Sequence, residues 1–211
     1  MRVEVFVDYD GTITDADTFD VLVRRFAGDE AWLRIEARLD RHEISLRGAL
    51  ALEASYVRLT FEEAEAHLER EIGFDPTFAP FVARCRRSGI DVTVVSSGVE
   101  PLIVRRLARH GLQIPVIANA VDARPGGWQI TFRDPVDNGT DKARVVRDAK
   151  ARGSFAVFAG DGRSDLDAAL EADRRFVKRG KLLERVLLER GVPYDPFHDF
   201  GEVAAAIVRA A

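Results

Sequence analysis

The sequence predicts an α/β protein built on a doubly wound parallel sheet, with a helical cap inserted after the first strand. Three observations carry that expectation. Short apolar, β-branched runs near residues 2–8, 90–96, 114–118, 154–159 and 174–177 alternate with helix-like stretches, the rhythm of a parallel sheet covered on both faces. The interval 15–72 breaks this rhythm with several amphipathic helical patterns in succession. Three of the strand-like runs end in reactive residues: Asp8-Tyr9-Asp10-Gly11-Thr12, Ser96-Ser97-Gly98 and Gly160-Asp161-Gly162.

The expected elements follow in chain order. Residues 2–8 form the first strand and deliver Asp8 and Asp10 to its end, before a glycine-led turn. In the helical block, Ala27-Gly28-Asp29 marks a break between the first two helices, and Thr60 with Glu63 forms a capping box for the last. A helix begins near Asp75-Pro76, and Phe78, Phe81, Val82 and Cys85 share one of its faces, which makes the single cysteine a core thiol. After Ser96-Ser97-Gly98 a helix carries Pro101 in its first turn and stops at Gly111. Arg-Pro-Gly-Gly between two alternating segments within 116–132 reads as an irregular β-hairpin. Lys142 opens a further helix, and Asp199 caps an alanine-rich final one. The predicted units are a core of 1–14 with 73–211 and a cap of 15–72 over the carboxyl ends of the strands, with hinges near 15–18 and 73–76.

Bulk composition narrows the function. The 211 residues suffice for one sizeable domain with a small insertion, and 46% hydrophobic with 31% charged residues is ordinary for a soluble globular chain. No apolar run is long enough to span a bilayer and Met-Arg-Val-Glu-Val lacks a signal-peptide pattern, so the expected location is the cytoplasm and no membrane partner is expected. The net charge is −4 and the cations are scattered among acids, which argues against nucleic acid as a partner. His42, His67, His110 and His198 lack zinc-ligand spacing and read as surface or capping residues.

Asp8 and Asp10 lie two residues apart and therefore on one face of the strand end, where one carboxylate can attack a reacting centre while the other moves protons. Asp-Gly-Thr is also common turn chemistry. The recurrence of reactive strand ends downstream favours the chemical reading. In order, Asp8-x-Asp10-Gly11-Thr12, Ser96, Lys142 and Gly160-Asp161-Gly162-x-x-Asp165 resemble the four motifs of the haloacid dehalogenase superfamily. The helical cap after the first strand, Phe26-Ala27 with Trp32, and the stretch from Phe176 through Leu182-Leu183 to Phe200 further resemble its subclass IB phosphatases. The likeness is to the 2-hydroxy-3-keto-5-methylthiopentenyl-1-phosphate phosphatase and phosphoserine phosphatase relatives within that subclass.

That resemblance implies hydrolysis of a small phosphorylated metabolite, a phosphomonoester such as a phosphorylated keto-sugar, by a monomer or homodimer. Asp8 would be the nucleophile, forming an aspartyl phosphate, and Asp10 the general acid and base. Lys142, the Ser96 hydroxyl and the backbone N–H groups of Ser97 and Gly98 would hold the transferring group. Asp8, Asp161, Asp165 and the carbonyl of Asp10 would bind Mg²⁺, with Asp165 alternatively a helix cap. Asp17 would contact the substrate, and Trp32, Phe19 and Tyr56 would line the pocket or fill the cap core. Phosphoserine phosphatases place a Glu where Asp17 stands and an Arg in the cap helix around residues 50–52. Neither is present, which leaves phosphoserine as the alternative substrate with Arg47 or Arg58 as its grip. A phosphoaspartate receiver or other signalling domain shares the sheet and the acidic cluster, but it carries its acceptor on a later strand and has no cap.

Overall fold

Strand β1 (Val3–Val7) lies at the centre of a seven-stranded sheet of order β4-β3-β2-β1-β5-β6-β7, seen in a computed structural model that describes residues 2–207. Its neighbours β2 (Asp91–Val99) and β5 (Phe155–Gly160) both pair with it in parallel, so the strand order reverses at β1. β3 (Val116–Asp122) continues the parallel set on one side, and β6 (Arg174–Lys178) and β7 (Asp195–Phe197) on the other. β4 (Gln129–Thr131) returns antiparallel to β3, which is the expected hairpin.

β1 is apolar except for Glu4, whose carboxylate accepts from Arg152 and Ser154, because it is covered on both faces. Val5 and Val7 point into a core with Phe78, Phe81, Phe197 and Phe200, contributed largely by α5 (Phe78–Arg87) and α10 (Phe200–Ile207). Phe6 points the other way, into a core with Val146, Phe158, Leu183 and Leu187 from α7 (Lys142–Ala151), β5 and α9 (Leu182–Glu189). Cys85 is buried on α5 as its spacing predicts, and burial raises its thiol pKa to about 11. β7 is an addition to the predicted strands. It is three residues long, contains Pro196 and lies at the sheet edge, where a missing N–H costs least.

Between β1 and α5 the chain forms α1 (Thr18–Phe26), α2 (Asp29–Asp40), α3 (Leu46–Tyr56) and α4 (Phe61–Glu71). The predicted Thr60–Glu63 capping box is present. The segments that enter and leave this block run antiparallel and are tied together: Asp15 N–H donates to the Gly73 carbonyl at 3.3 Å, Gly73 N–H to Asp15 Oδ1 at 2.8 Å, and Asp75 N–H to the Ile13 carbonyl at 2.9 Å. The helices rest on the β3–β4 hairpin. Trp128, 1% exposed, joins their apolar core, and its indole N–H donates to the Leu59 carbonyl at 2.8 Å. Gly127 is required there, since a Cβ would stand 2.7 Å from the Ser55 carbonyl oxygen.

Two local expectations need correction. The helix expected near Asp75-Pro76 starts at Phe78, because the Asp75 carboxylate accepts from Thr77 N–H and Oγ1 and shapes the turn ahead of it. His67 is buried on α4, edge-on to Phe26 at 5.2 Å, rather than on the surface.

Candidate active site

The carboxyl ends of β1, β2 and β5 converge where the strand order reverses, the place an open α/β sheet offers a ligand. They line a cavity of about 450 Å³ whose floor includes Asp8, Asp10, Ser96, Ser97, Gly98 and Asp161, and whose roof comes from the helical block. Sequence spacing alone brought these residues to neighbouring strand ends, and the structure gathers them around one space.

Asp8 continues the β1 ladder, donating its N–H to the Ala159 carbonyl at 2.9 Å, and its carboxylate is held at both oxygens. Oδ1 accepts from Lys142 Nζ at 2.5 Å, and Oδ2 from Thr12 Oγ1 at 3.2 Å. Lys142 is 2% exposed and reaches from the first turn of α7, where Asp141 caps the helix. Its ammonium donates also to Asp165 Oδ1 at 2.7 Å and Ser164 Oγ at 3.0 Å. Three acceptors are the full complement of an ammonium group. Burial pulls the Lys142 pKa down, but Asp165 and Asp8 outweigh it and hold the group firmly charged.

Asp165 is fully buried, and its Oδ2 accepts the backbone N–H groups of Asp161 and Gly162, both at 2.9 Å. It therefore fixes the turn that carries Asp161 as well as the lysine. Gly160 leaves the space for it, because a Cβ there would come within 2.6 Å of the Asp165 carboxyl. Gly11, at φ +76°, serves Asp161 likewise, with Oδ2 2.3 Å from an added Cβ.

One carboxylate oxygen from each of Asp8, Asp161 and Asp165 lies within 4.8 Å of the others. Burial, reinforced by Asp165, pushes Asp8 up to about 7 despite Lys142, and burial with Asp8 and Asp165 pushes Asp161 up to about 8. One buried lysine does not balance three carboxylates, and hard anionic oxygens in such excess fit a hard divalent cation.

Asp10 sits one turn further on. Its Oδ1 accepts from Thr18 Oγ1 at 2.6 Å and Thr18 N–H at 2.9 Å, tying it to the first residue of α1. Burial and then the charge of Asp17 raise its pKa to about 7, opposed by the Thr18 hydrogen bonds. Asp17 lines the cavity and also caps α1, its Oδ1 accepting from Phe19 N–H at 2.8 Å and Asp20 N–H at 3.2 Å.

On β2 the pairing register with β3 shifts between Val95 and Val99, so Ser96–Gly98 leave the regular ladder while remaining in the strand. Gly98 N–H donates to Ser96 Oγ at 2.9 Å, and Asn119 Nδ2 pins the Ser97 carbonyl at 2.6 Å. The buried Ser97 hydroxyl has no hydrogen-bond partner among the described residues and belongs to a cavity-lining residue. Thr18 and Asn119 are site-building residues that sequence reasoning missed, and Thr12, named within the first motif without a role, donates to Asp8 and Asp161.

The aromatic candidates separate. Phe19 lines the cavity from α1, and Tyr56 is 40% exposed and outside the lining. Trp32 is also outside it but donates its indole N–H at 2.7 Å to Asp20, which is part of the lining. Arg47 turns away, donating to the Asp134 carbonyl at 3.2 Å with its guanidinium 4.6 Å from the Phe132 ring, and Arg58 is exposed outside the cavity.

The roof adds Glu53, buried on α3, whose pKa burial lifts to about 9 with help from the charges of Asp17, Asp20, Glu36 and Asp10. A carboxyl with a raised folded-state pKa carries no penalty below its ordinary value of 4.5. It costs stability increasingly as pH climbs towards 9. Glu53→Gln, a neutral stand-in, should therefore melt above the parent at pH ~8, with the gain vanishing below pH ~4 in thermal scans. A gain independent of pH would contradict this origin.

Among the described residues no helix is long and apolar enough to cross a membrane. A family model described as haloacid dehalogenase-like hydrolase matches residues 5–170. The chain is 30% identical to polyol phosphate phosphatase PYP1 of Saccharomyces cerevisiae over 98% of its own length and 93% of that protein. It is 28% identical to the 2-hydroxy-3-keto-5-methylthiopentenyl-1-phosphate phosphatase of Brevibacillus brevis, covering 96% of this chain and 93% of that one. A substrate-bound phosphoserine phosphatase structure superposes with a TM-score of 0.75 over 98% of both chains at 18% identity, a likeness of fold. All the motif-bearing strand ends fall inside the matched span, and the chain belongs to the haloacid dehalogenase-like hydrolase family.

Proposed function

We propose that this hydrolase is a Mg²⁺-dependent phosphatase acting on a small phosphomonoester through an aspartyl phosphate at Asp8. The observation that carries the reading is the buried Lys142, which clamps Asp8 and Asp165 beside a cavity-lining Asp10 and Asp161. The Asp8 carboxylate attacks phosphorus while the bond to the leaving oxygen breaks, and Asp10 hands that oxygen its proton. Water then attacks the phosphorus of the acyl phosphate, Asp10 takes the water's proton, and the bond to Asp8 breaks to release inorganic phosphate. An Asp10 pKa of about 7 suits a group that must give and take a proton near neutrality. Ser96 and the Ser97 N–H position phosphoryl oxygens, and Lys142 supplies positive charge beside them, though it would have to release one of its three acceptors to reach the phosphoryl group itself. The partnerless Ser97 hydroxyl supports adding it to that set. Gly98 N–H, already given to Ser96, would have to be released to join them.

Asp8, Asp161 and Asp165, with the Asp10 carbonyl, would hold Mg²⁺, which supplies positive charge against which anionic nucleophile and substrate can approach. In this reading residues 15–72 are the cap and 1–14 with 73–211 the core. Two named phosphatases along the full length support a phosphorylated keto-sugar or polyol as substrate. Phosphoserine is disfavoured, since Arg47 and Arg58 are not placed to grip a carboxylate.

The test is phosphate release from p-nitrophenyl phosphate and a panel of sugar, polyol and amino-acid phosphates, with and without EDTA. Turnover should disappear with chelation and return with Mg²⁺; chelator-insensitive turnover would sink the metal assignment. Asp10→Asn should slow formation and breakdown of the phosphoenzyme by about 10²- to 10⁴-fold in rapid-quench kinetics, the usual worth of acid–base assistance.

A further inference from the structure

The roof of the cavity carries an acidic set that the chemistry at Asp8 does not use. Asp20 on α1, Glu36 on α2 and Glu53 on α3 all line the space above the catalytic carboxylates, and one oxygen of each lies within 4.8 Å of the others. Three helices converge to place them. Asp20 is oriented by the Trp32 indole N–H. Glu53 is 4% exposed, yet among the described residues it accepts no hydrogen bond and pairs with no cation, so a buried polar side chain faces the cavity with its capacity unused. Glu36 likewise has no ion-pair partner among the described residues.

We propose that Asp20, Glu36 and Glu53 are the specificity-determining residues of this pocket and take hydrogen bonds from the hydroxyl groups of a polyol chain in the leaving group. The proposal rests on the phosphatase reading and names what that site selects. An unpaired buried carboxyl costs stability, and a protein retains such a cost where a ligand satisfies it. Burial raises all three pKa values, to about 6 for Asp20 and about 9 for Glu53, so Glu53 holds its proton at neutral pH and can donate as well as accept, while Asp20 acts there mainly as an acceptor. Hydroxyls both donate and accept, which makes the match reciprocal.

Other leaving groups fit less well. A carboxylate would face three acids and Asp17. The two arginines in the lining are already engaged, Arg24 with Asp29 and Arg163 with Asp40, each at 2.7 Å. A quaternary ammonium group wants an aromatic cage, and Phe19 is the one aromatic residue of the lining. The remaining wall, with Val21, Leu39, Leu46 and Leu50, is apolar and suits the C–H face of a carbon chain.

The experiment measures kcat/KM with Mg²⁺ for ethyl phosphate, 2-hydroxyethyl phosphate, glycerol 1-phosphate and a tetritol phosphate, alongside O-phosphoethanolamine, O-phosphoserine and p-nitrophenyl phosphate. Wild type, Glu53→Gln and Asp20→Asn are compared. In the wild type kcat/KM should climb about tenfold or more along the hydroxyl series, mainly through KM, because each added hydroxyl satisfies a buried polar group that the shorter ester leaves unpaired. In Glu53→Gln and Asp20→Asn the climb should flatten, and the ratio of tetritol phosphate to p-nitrophenyl phosphate should fall by about tenfold. A wild-type preference for O-phosphoethanolamine would overturn the proposal in favour of a cation site, and an unchanged hydroxyl series in both variants would overturn it outright. Absence of turnover on every ester, p-nitrophenyl phosphate included, would show instead that the phosphatase reading itself had failed.

Discussion

Asp8→Asn should abolish turnover of every substrate and leave no phosphoenzyme, the largest kinetic effect expected of any single substitution here. An amide is a poor nucleophile towards phosphorus, so the loss should exceed the cost of removing one transition-state hydrogen bond, which is about 10²- to 10³-fold. The variant should nevertheless fold. Burial and Asp165 already push the Asp8 carboxyl up to about 7, and a neutral amide relieves part of that strain while still accepting from Lys142. Residual turnover comparable to Asp10→Asn would place the nucleophile elsewhere. The pairing of intact thermal unfolding with absent turnover is therefore the informative result.

Lys142→Met should produce the largest loss of stability. It removes the cation shared by Asp8 and Asp165, 6% and 0% exposed at their side chains, and leaves both carboxylates buried without the lysine's positive charge. Breaking a buried ion pair on one side costs about 3–5 kcal/mol. Lys142 has a raised pKa in the fold, so its contribution is fully present at all pH values below its ordinary pKa of 10.5 and is lost only in strong alkali. The stranded Asp8 carboxyl behaves oppositely: burial raises its pKa and it can take up a proton in acid, so the penalty should be smaller near pH 5 than near pH 8 in urea titrations. A pH-independent loss would mean that Lys142 acts by packing. Lys142→Arg should not rescue, since a planar fork cannot give three donors to the positions now held by Asp8, Asp165 and Ser164.

The candidate site was legible because its reactive residues end short runs rich in β-branched residues, and such runs, alternating with helical patterns, read as strands of a parallel sheet. Asp8, Ser96 and Asp161 then fall at one sheet edge by topology alone. Lys142 was legible as a helix start in a chain with four lysines. The supports of the site were not. Thr12, Thr18 and Asn119 act through side-chain hydrogen bonds, some across neighbouring turns and some between residues distant in sequence, and such bonds leave no periodic trace. Strand β2 was cut short at Ser96 because its last residues shift register and break the alternation that marks a strand. The seating of the helical block on Trp128 was equally hidden, since a lone tryptophan in a hairpin gives no hint of which surface it anchors. Asp20, Glu36 and Glu53 lie on three separate amphipathic helices, where one acid each resembles a solvated face. Only packing brings them together under the roof of the cavity.

The central claim is that phosphorus passes through the Asp8 carboxylate, and trapping reads this directly. Acid quench during turnover, followed by borohydride reduction of the acyl phosphate and peptide mass spectrometry, should find homoserine at position 8 in a substrate-dependent yield. Position 8 should be unmodified without substrate and in Asp8→Asn. Reduction at Asp10 or Asp161 instead, or substrate turnover under conditions that trap no acyl phosphate at all, would contradict the account.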